Sequence, residues 1–117
     1  MFKFETLEIW KDSVSFISDI YRLTEKFPNW ESYNLTSQIS RAATSVSLNI
    51  AEGASRGSKK DFKRFIQMAI GSLYEVVTCL YIAKNQKYID NDEFKTLYDQ
   101  CERISKMIHG FSNYLNK

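Results

Sequence analysis

His109 is the only histidine in 117 residues, and Cys79 and Cys101 are the only thiols. With the carboxylates, these side chains bound the chemistry open to the chain. A paired-imidazole metal site needs a second histidine. A di-iron bundle needs Glu-x-x-His pairs. Here Glu52 is followed at that spacing by Ser55, Glu75 by Thr78, and Lys106 stands where His109 would need a glutamate. His109 sits beside Ile108 on an apolar stripe and reads as a boundary or surface residue. A Cys–His nucleophile would have to use Cys79 or Cys101, and both read better as small core residues. No catalytic residue, cofactor site or metal site is expected, and the chain is expected not to be an enzyme.

The densest run of positive charge lies within "SLNIAEGASRGSKKDFKRF", residues 47–65. Its two glycines, Gly53 and Gly57, fit no nucleotide-binding loop, because the Walker pattern GxxxxGK[ST] follows a strand and the preceding element here is helical. Arg56, Lys59, Lys60, Lys63 and Arg64 face only Asp61, a local charge of +4 in a chain of +2, so the remainder sums to −2. One reading is a helix stop, a loop and a helix start with a solvated charge run. The other is a nucleic-acid-binding patch, in which five cations gather at a helix N-terminus that itself favours anions. Both stay open on the residues alone.

The elements that carry these residues are helices. Apolar spacing is helical throughout, and a single proline leaves long segments unbroken. The first helix is expected from about Leu7 to Lys26, with Trp10, Val14, Ile17 and Tyr21 as its stripe, flanked by Ile9, Phe16, Ile20 and Leu23. Pro28 ends it. The second runs from about Leu35 to Glu52 on Leu35, Ile39, Ala42, Ala43, Val46 and Ile50, with Gly53 as a left-handed cap. The third runs from about Ser58 to Gln86, opened by Ser58 and Asp61 at capping-box spacing. In the fourth, Asp90 and Glu93 form a capping box, and Ile89 can staple onto Phe94. Phe94, Leu97, Cys101, Ile104, Ile108, Phe111 and Leu115 then alternate steps of three and four. The expected fold is all-α, an up-down-up-down antiparallel four-helix bundle over a single domain, residues 1–117.

Hydrophobic residues at 44% and charged residues at 26% are those of a globular domain, and 8 Phe, 7 Tyr and 2 Trp supply large core or interface side chains. "MFKFETLEIW" carries acidic residues where a signal peptide places its apolar core. Uncharged stretches such as "FIQMAIGSLY" fall short of the ~20 residues that span a bilayer. No CxxC is present. The expected compartment is the cytoplasm, with two buried thiols and no membrane partner.

The second and third helices lack the charged back of the first and fourth. From Leu35 to Ala51 the only charge is Arg41, and from Phe65 to Ala83 the only charge is Glu75. Ser37, Ser40, Thr44, Ser47 and Ala51 make a small-residue side, and Leu48 lies off the stripe. Self-association through these helices is expected, with Arg41, Ser45, Leu48, Glu52, Met68 and Glu75 at the oligomer interface. Arg41, Glu52 and Glu75 then need partners, because a lone buried charge costs several kcal/mol. An adaptor docking a different protein, with no nucleic-acid role, is the alternative.

The order "LEIW", "FP", "SQISRAATSVSLNIAEGASR" and "DFKRFIQMAIGSLYEVVTCLYIA" resembles the bacterial four-helix bundle protein family. That family is also labelled 23S rRNA intervening-sequence protein, or ribosomal-protein-like, because some members are encoded in insertions within 23S rRNA genes. "NIAEG" and "GSLYE" are its most specific segments. Members are similar to the accessory variability determinant of diversity-generating retroelements, a basic barrel-like pentamer that associates with reverse transcriptase and nucleic acid. The resemblance implies the four-helix fold, a ring-shaped homopentamer, and RNA or DNA or a protein partner as its associates.

Overall fold

The computed structural model describes residues 1–117. It contains α1 (Glu8–Thr24), α2 (Leu35–Ala54), α3 (Lys59–Asn85) and α4 (Asn91–Leu115), with 3-10 turns at Lys3–Thr6 and Asn29–Glu31 and no strand. Pairwise contacts give the directions. Asp12 meets Arg103, Asp19 meets Gln100 and Lys26 meets Glu93, so α1 and α4 are antiparallel. Gly53 lies against Phe62 and Phe65 while Ser45 meets Ser72, so α2 and α3 are antiparallel. Phe62 packs against Phe111 and Tyr81 meets Phe94 edge to face, which orients α3 against α4. No Cα atoms of diagonal helices come within 8 Å of each other, and the up-down-up-down bundle measures 44 × 23 × 22 Å.

Local signals explain most helix ends. At α4 the Asp90 carboxylate accepts from the Glu93 N–H at 2.7 Å, and the Glu93 carboxylate accepts from the Asp90 N–H at 2.9 Å, a complete capping box. Ser58 accepts from the Asp61 N–H at 3.1 Å, but the return bond from the Asp61 side chain is missing. The start of α2 is secured from outside the helix. Glu31 accepts from the Leu35 N–H at 3.3 Å and from Asn34 at 3.0 Å, and its second oxygen accepts from the Tyr88 hydroxyl at 2.8 Å. The Tyr88 bond holds the Glu31 carboxyl below its ordinary range, and the same bond pushes the Tyr88 phenol up. Glu31 thus joins the α1–α2 connection to the α3–α4 turn.

Two expectations need correction. The buried side of α1 is Ile9, Ser13, Phe16, Ile20 and Leu23, whereas Val14 and Tyr21 are 39% and 51% exposed. The stripe is turned by one residue because Ser13 takes a core position. Its hydroxyl donates to the Trp10 carbonyl at 2.8 Å, which removes the penalty of burying it. Gly53 is not a left-handed cap either. It lies inside α2 and is buried, and no glycine has a positive φ. The left-handed residue is Lys87, at φ 63°, where Tyr88 N–H reaches Ala83 O at 2.9 Å and Lys87 N–H reaches Lys84 O at 3.0 Å to close α3.

The role of Gly53 is closeness. A Cβ there would sit 2.8 Å from Phe65 Cβ and 2.9 Å from Phe62 Cδ1, so α2 and α3 approach at this point as only glycine allows. These two helices make the most extensive pairing in the bundle. By length and composition α3 is apolar enough to cross a membrane, with mean hydropathy 1.5 over its richest window. Here Ile66, Ala69, Leu73, Val76, Leu80 and Ala83 spend that apolarity on the core.

Gly53→Ala should therefore destabilise the fold. Helix propensity favours alanine by ~1 kcal/mol, but overpacking against the stiff base of Phe65 costs ~1–3 kcal/mol and prevails. Gly110→Ala, on α4 with nothing within 4 Å of the new Cβ, should instead stabilise by about 0.5–1 kcal/mol. Denaturant melts of the two variants test the contrast.

Candidate nucleic-acid and self-association surfaces

The α2–α3 junction sets the geometry of the basic cluster. Phe65 is buried just outside the main core, under two guanidinium groups: Arg56 stands 4.9 Å and Arg64 4.7 Å from its ring centre. Arg56 also donates to the Glu52 carboxylate at 2.6 Å, and Arg64 lies 3.9 Å from Asp61. Lys59 and Lys63, one turn apart, reach the end of α4: Lys59 donates to the Lys117 backbone oxygen at 3.1 Å and Lys63 to the Asn116 side-chain oxygen at 2.6 Å. Lys60 is exposed, without an ion pair or hydrogen bond inside the chain. The structure brings all five cations to one end of the bundle. Glu52 joins Asp61 against them, leaving the cluster at +3. The two rings within the cluster are not free to stack a base, since Phe65 is covered and Phe62 packs on Phe111 with centres 5.1 Å apart. The exposed rings at this end are Phe2, beside Glu52 and Ser55, and Tyr114 near the end of α4.

The uncharged helices divide into an inner and an outer part. The small-residue side of α2 is not free, because it faces α1. Ser47 is buried, and the Thr44 hydroxyl lies 3.5 Å from that of Tyr21. That part of the missing charge is accounted for within the chain. What remains on the outside is Leu48 at 62% exposure and, on α3, Met68, Tyr74 and Ile82 at 47%, 55% and 43%. Ser45 is half-buried between the two helices and accepts from the Ser72 hydroxyl at 2.9 Å. Of the three charges expected to need partners, Glu52 has Arg56, whereas Arg41 and Glu75 are exposed and enter none of the seven ion pairs. A groove of about 430 Å³ runs between α2 and α3 beside Glu75.

The seam between α1 and α4 escaped the sequence reading. Asp12–Arg103, Asp19–Gln100 and Lys26–Glu93 cross it like rungs. The α1 members recur every seven residues, which is the signal that could have found them. A cleft of about 400 Å³ opens there. Gln100 Oε1 is buried without a partner, since its amide N–H is directed to Asp19 at 3.0 Å. Charges of both signs already satisfy one another in this cleft, so it selects no ligand class.

No three His, Cys, Asp or Glu side chains come together as a metal site, and His109 is exposed. Both thiols are buried and unpaired. Burial pushes Cys101 up to about 12, and burial followed by the Glu75 charge pushes Cys79 up as well. Raised thiols are poor nucleophiles at neutral pH. In the native protein at pH 8, a thiol reagent should modify Cys101 at least ~10³-fold more slowly than a free cysteine. Both thiols should react fast in denaturant. Rapid native labelling of Cys101, read by mass spectrometry, would contradict the buried placement.

A family model described as 23S rRNA-intervening sequence protein matches residues 5–110, which include the "NIAEG" and "GSLYE" segments. No protein of curated function matches the chain. Among solved structures, the chain is similar to a protein of unknown function from the S23 ribosomal protein family of Bacteroides thetaiotaomicron. The TM-score is 0.82 at 22% identity, over 89% of this chain and 97% of that one. Such an identity speaks for the fold alone. The family match begins within the N-terminal turn and spans the first three helices and most of α4, and on it the chain belongs to the 23S rRNA-intervening sequence protein family.

Proposed function

We propose that this protein is a non-enzymatic, self-associating bundle of the cytoplasm that acts as an accessory to nucleic acid, contacting phosphates without reading sequence. The observation that carries this reading is the clustering of Arg56, Lys59, Lys60, Lys63 and Arg64 at one end of the bundle. One copy is a weak binder, since at most five phosphates are neutralised and no ring is interleaved among the five cations to stack a base. A closed ring repeats the patch on one rim and raises the effective concentration without new contacts. Five subunits is the number that the family resemblance implies.

Self-association is supported by the exposed strip of Leu48, Met68, Tyr74 and Ile82, with Arg41, Ser45, Glu52 and Glu75 along it. Gly71 adds to the argument. It costs α3 ~1 kcal/mol relative to alanine, and no atom of the chain approaches within 4 Å of where its Cβ would be. Gly110 is equally open, so the weight lies in Gly71 falling on this uncharged face. A second reading, a protein-interaction adaptor with no nucleic-acid role, is favoured by the contacts that Arg56, Lys59, Lys63 and Arg64 already make within the chain. In that case a stoichiometric partner should co-purify, and the freed protein should not self-associate.

Light scattering at micromolar concentration should give an oligomer mass; a strict monomer ends the ring reading. Labelled single-stranded RNA and duplex DNA should bind with little sequence preference. Affinity should fall about 10²–10³-fold between about 50 and about 200 mM salt if five phosphates are neutralised. The triple variant Lys59→Glu, Lys60→Glu, Lys63→Glu should lose binding while keeping its oligomer mass. Equal binding by that variant, or none by the wild type at the lower salt, would reduce the cluster to a solvated helix start.

A further inference from the structure

The α2–α3 face contains one unpaired charge of each sign, and they stand at the same height. Arg41 is the sole charge from Leu35 to Ala51, and Glu75 the sole charge from Phe65 to Ala83. Both are exposed, and neither has an ion pair within the chain. The Ser45–Ser72 hydrogen bond fixes their relative level. At ~1.5 Å per residue, Arg41 lies ~6 Å from that bond and Glu75 ~4.5 Å from it, in the same direction because the helices are antiparallel.

The groove beside Glu75 is one-sided in charge. Glu31, Glu75, Gln38, Tyr74, Thr78 and Ile82 are among its lining residues, and these include two carboxylates but no lysine or arginine. Glu31 is already engaged by Tyr88, Asn34 and the Leu35 N–H, so Glu75 is the carboxylate left to recruit a cation.

We propose that the occupant is a second copy of this chain: Arg41 of one copy enters the α2–α3 groove of its neighbour and pairs with Glu75 there. This rests on the self-association read above and specifies its contact. Charge complementarity selects the occupant, because the groove lacks a cation and the same face carries an arginine that lacks an anion. Equal height makes the pairing repeatable. It permits the pair in either closure: a two-fold dimer in which the α2–α3 faces meet and both pairs form, or a ring in which the α2 edge of one copy, with Arg41, meets the α3 edge of the next, with Glu75. Leu48, Met68 and Ile82, each about two turns along its helix from the nearer member of the pair, supply apolar contact on either side of it. A guanidinium seated between two copies is shielded from water, where a charge-assisted bond outweighs an exposed one.

The test is a charge swap read by sedimentation and light scattering, with thermal melts recorded in parallel. Arg41→Glu and Glu75→Arg should each weaken association at least about tenfold, and the double variant should regain it. Mixing the two single variants is the sharper arm. One carries two acids and the other two arginines, so they should co-assemble although each alone does not. In an odd-numbered ring one interface must remain mismatched, and the mixture should recover less than the double variant. Arg41→Gln and Glu75→Gln should weaken association without like-charge repulsion, which covers the case of a reversed charge that misfolds. Monomeric wild type overturns the self-association reading and this pair with it. Oligomeric wild type whose mass ignores the single swaps, or is not restored by the double, overturns the pair alone. So does a swap that shifts the melting temperature at unchanged mass, since that places the ion pair within one chain.

Discussion

The close approach of α2 and α3 at Gly53 is the constraint on which the surfaces of this bundle depend. With no Cβ between them, the α2 backbone rests on Phe62 and on the base of Phe65. Beside that contact Phe65 lies outside the main core and under Arg56 and Arg64. The same tight pairing continues through Ser45 and Ser72 and leaves a shallow outer groove instead of a sealed seam. A bulkier residue at 53 would splay the helices and shift both features together. The arrangement of Arg56 and Arg64 over Phe65 and the groove along α2 and α3 thus lie along one tight helix pairing.

The opposite seam is built on different physics. α1 and α4 make the least extensive of the four adjacent helix pairings, and polar rungs cross it. Exposed ion pairs of this kind contribute ~0–1 kcal/mol each, so their main effect is on register rather than stability. Glu93 shows the economy of the arrangement. One oxygen completes the α4 capping box and the other meets Lys26 at the end of α1. The residue that starts α4 also fixes which turn of α1 it faces.

A bundle fold does not by itself assign a function. Nothing inside the molecule resembles a reaction centre: the thiols are raised by burial and the one histidine is exposed. What the outside of the molecule offers is charge at one end and exposed apolar side chains along α2 and α3. The bundle leaves Leu48, Met68, Tyr74 and Ile82 exposed while burying Ser13, whose hydroxyl is satisfied on the Trp10 carbonyl.

By itself the sequence determined what depends on neighbours a few residues apart. The four helices, the capping box at Asp90 and Glu93, the α4 seam and the run from Arg56 to Arg64 are all set by short-range geometry, and all are visible as spacing. Only tertiary structure decided the rest, because it rests on partners far along the chain. Ser13 counts as core only once its hydroxyl satisfies itself on Trp10 and α1 docks. Gly53 looked like a stop signal because glycine serves both as cap and as point of contact, and the choice lies with Phe62 and Phe65 on another helix. The small side of α2 looked unpartnered until α1 packed on it. Which charges stay free is decided in the same way. Glu52 finds Arg56 one turn on, but nothing in the order of residues places Arg41 level with Glu75; the antiparallel pairing of α2 and α3 does.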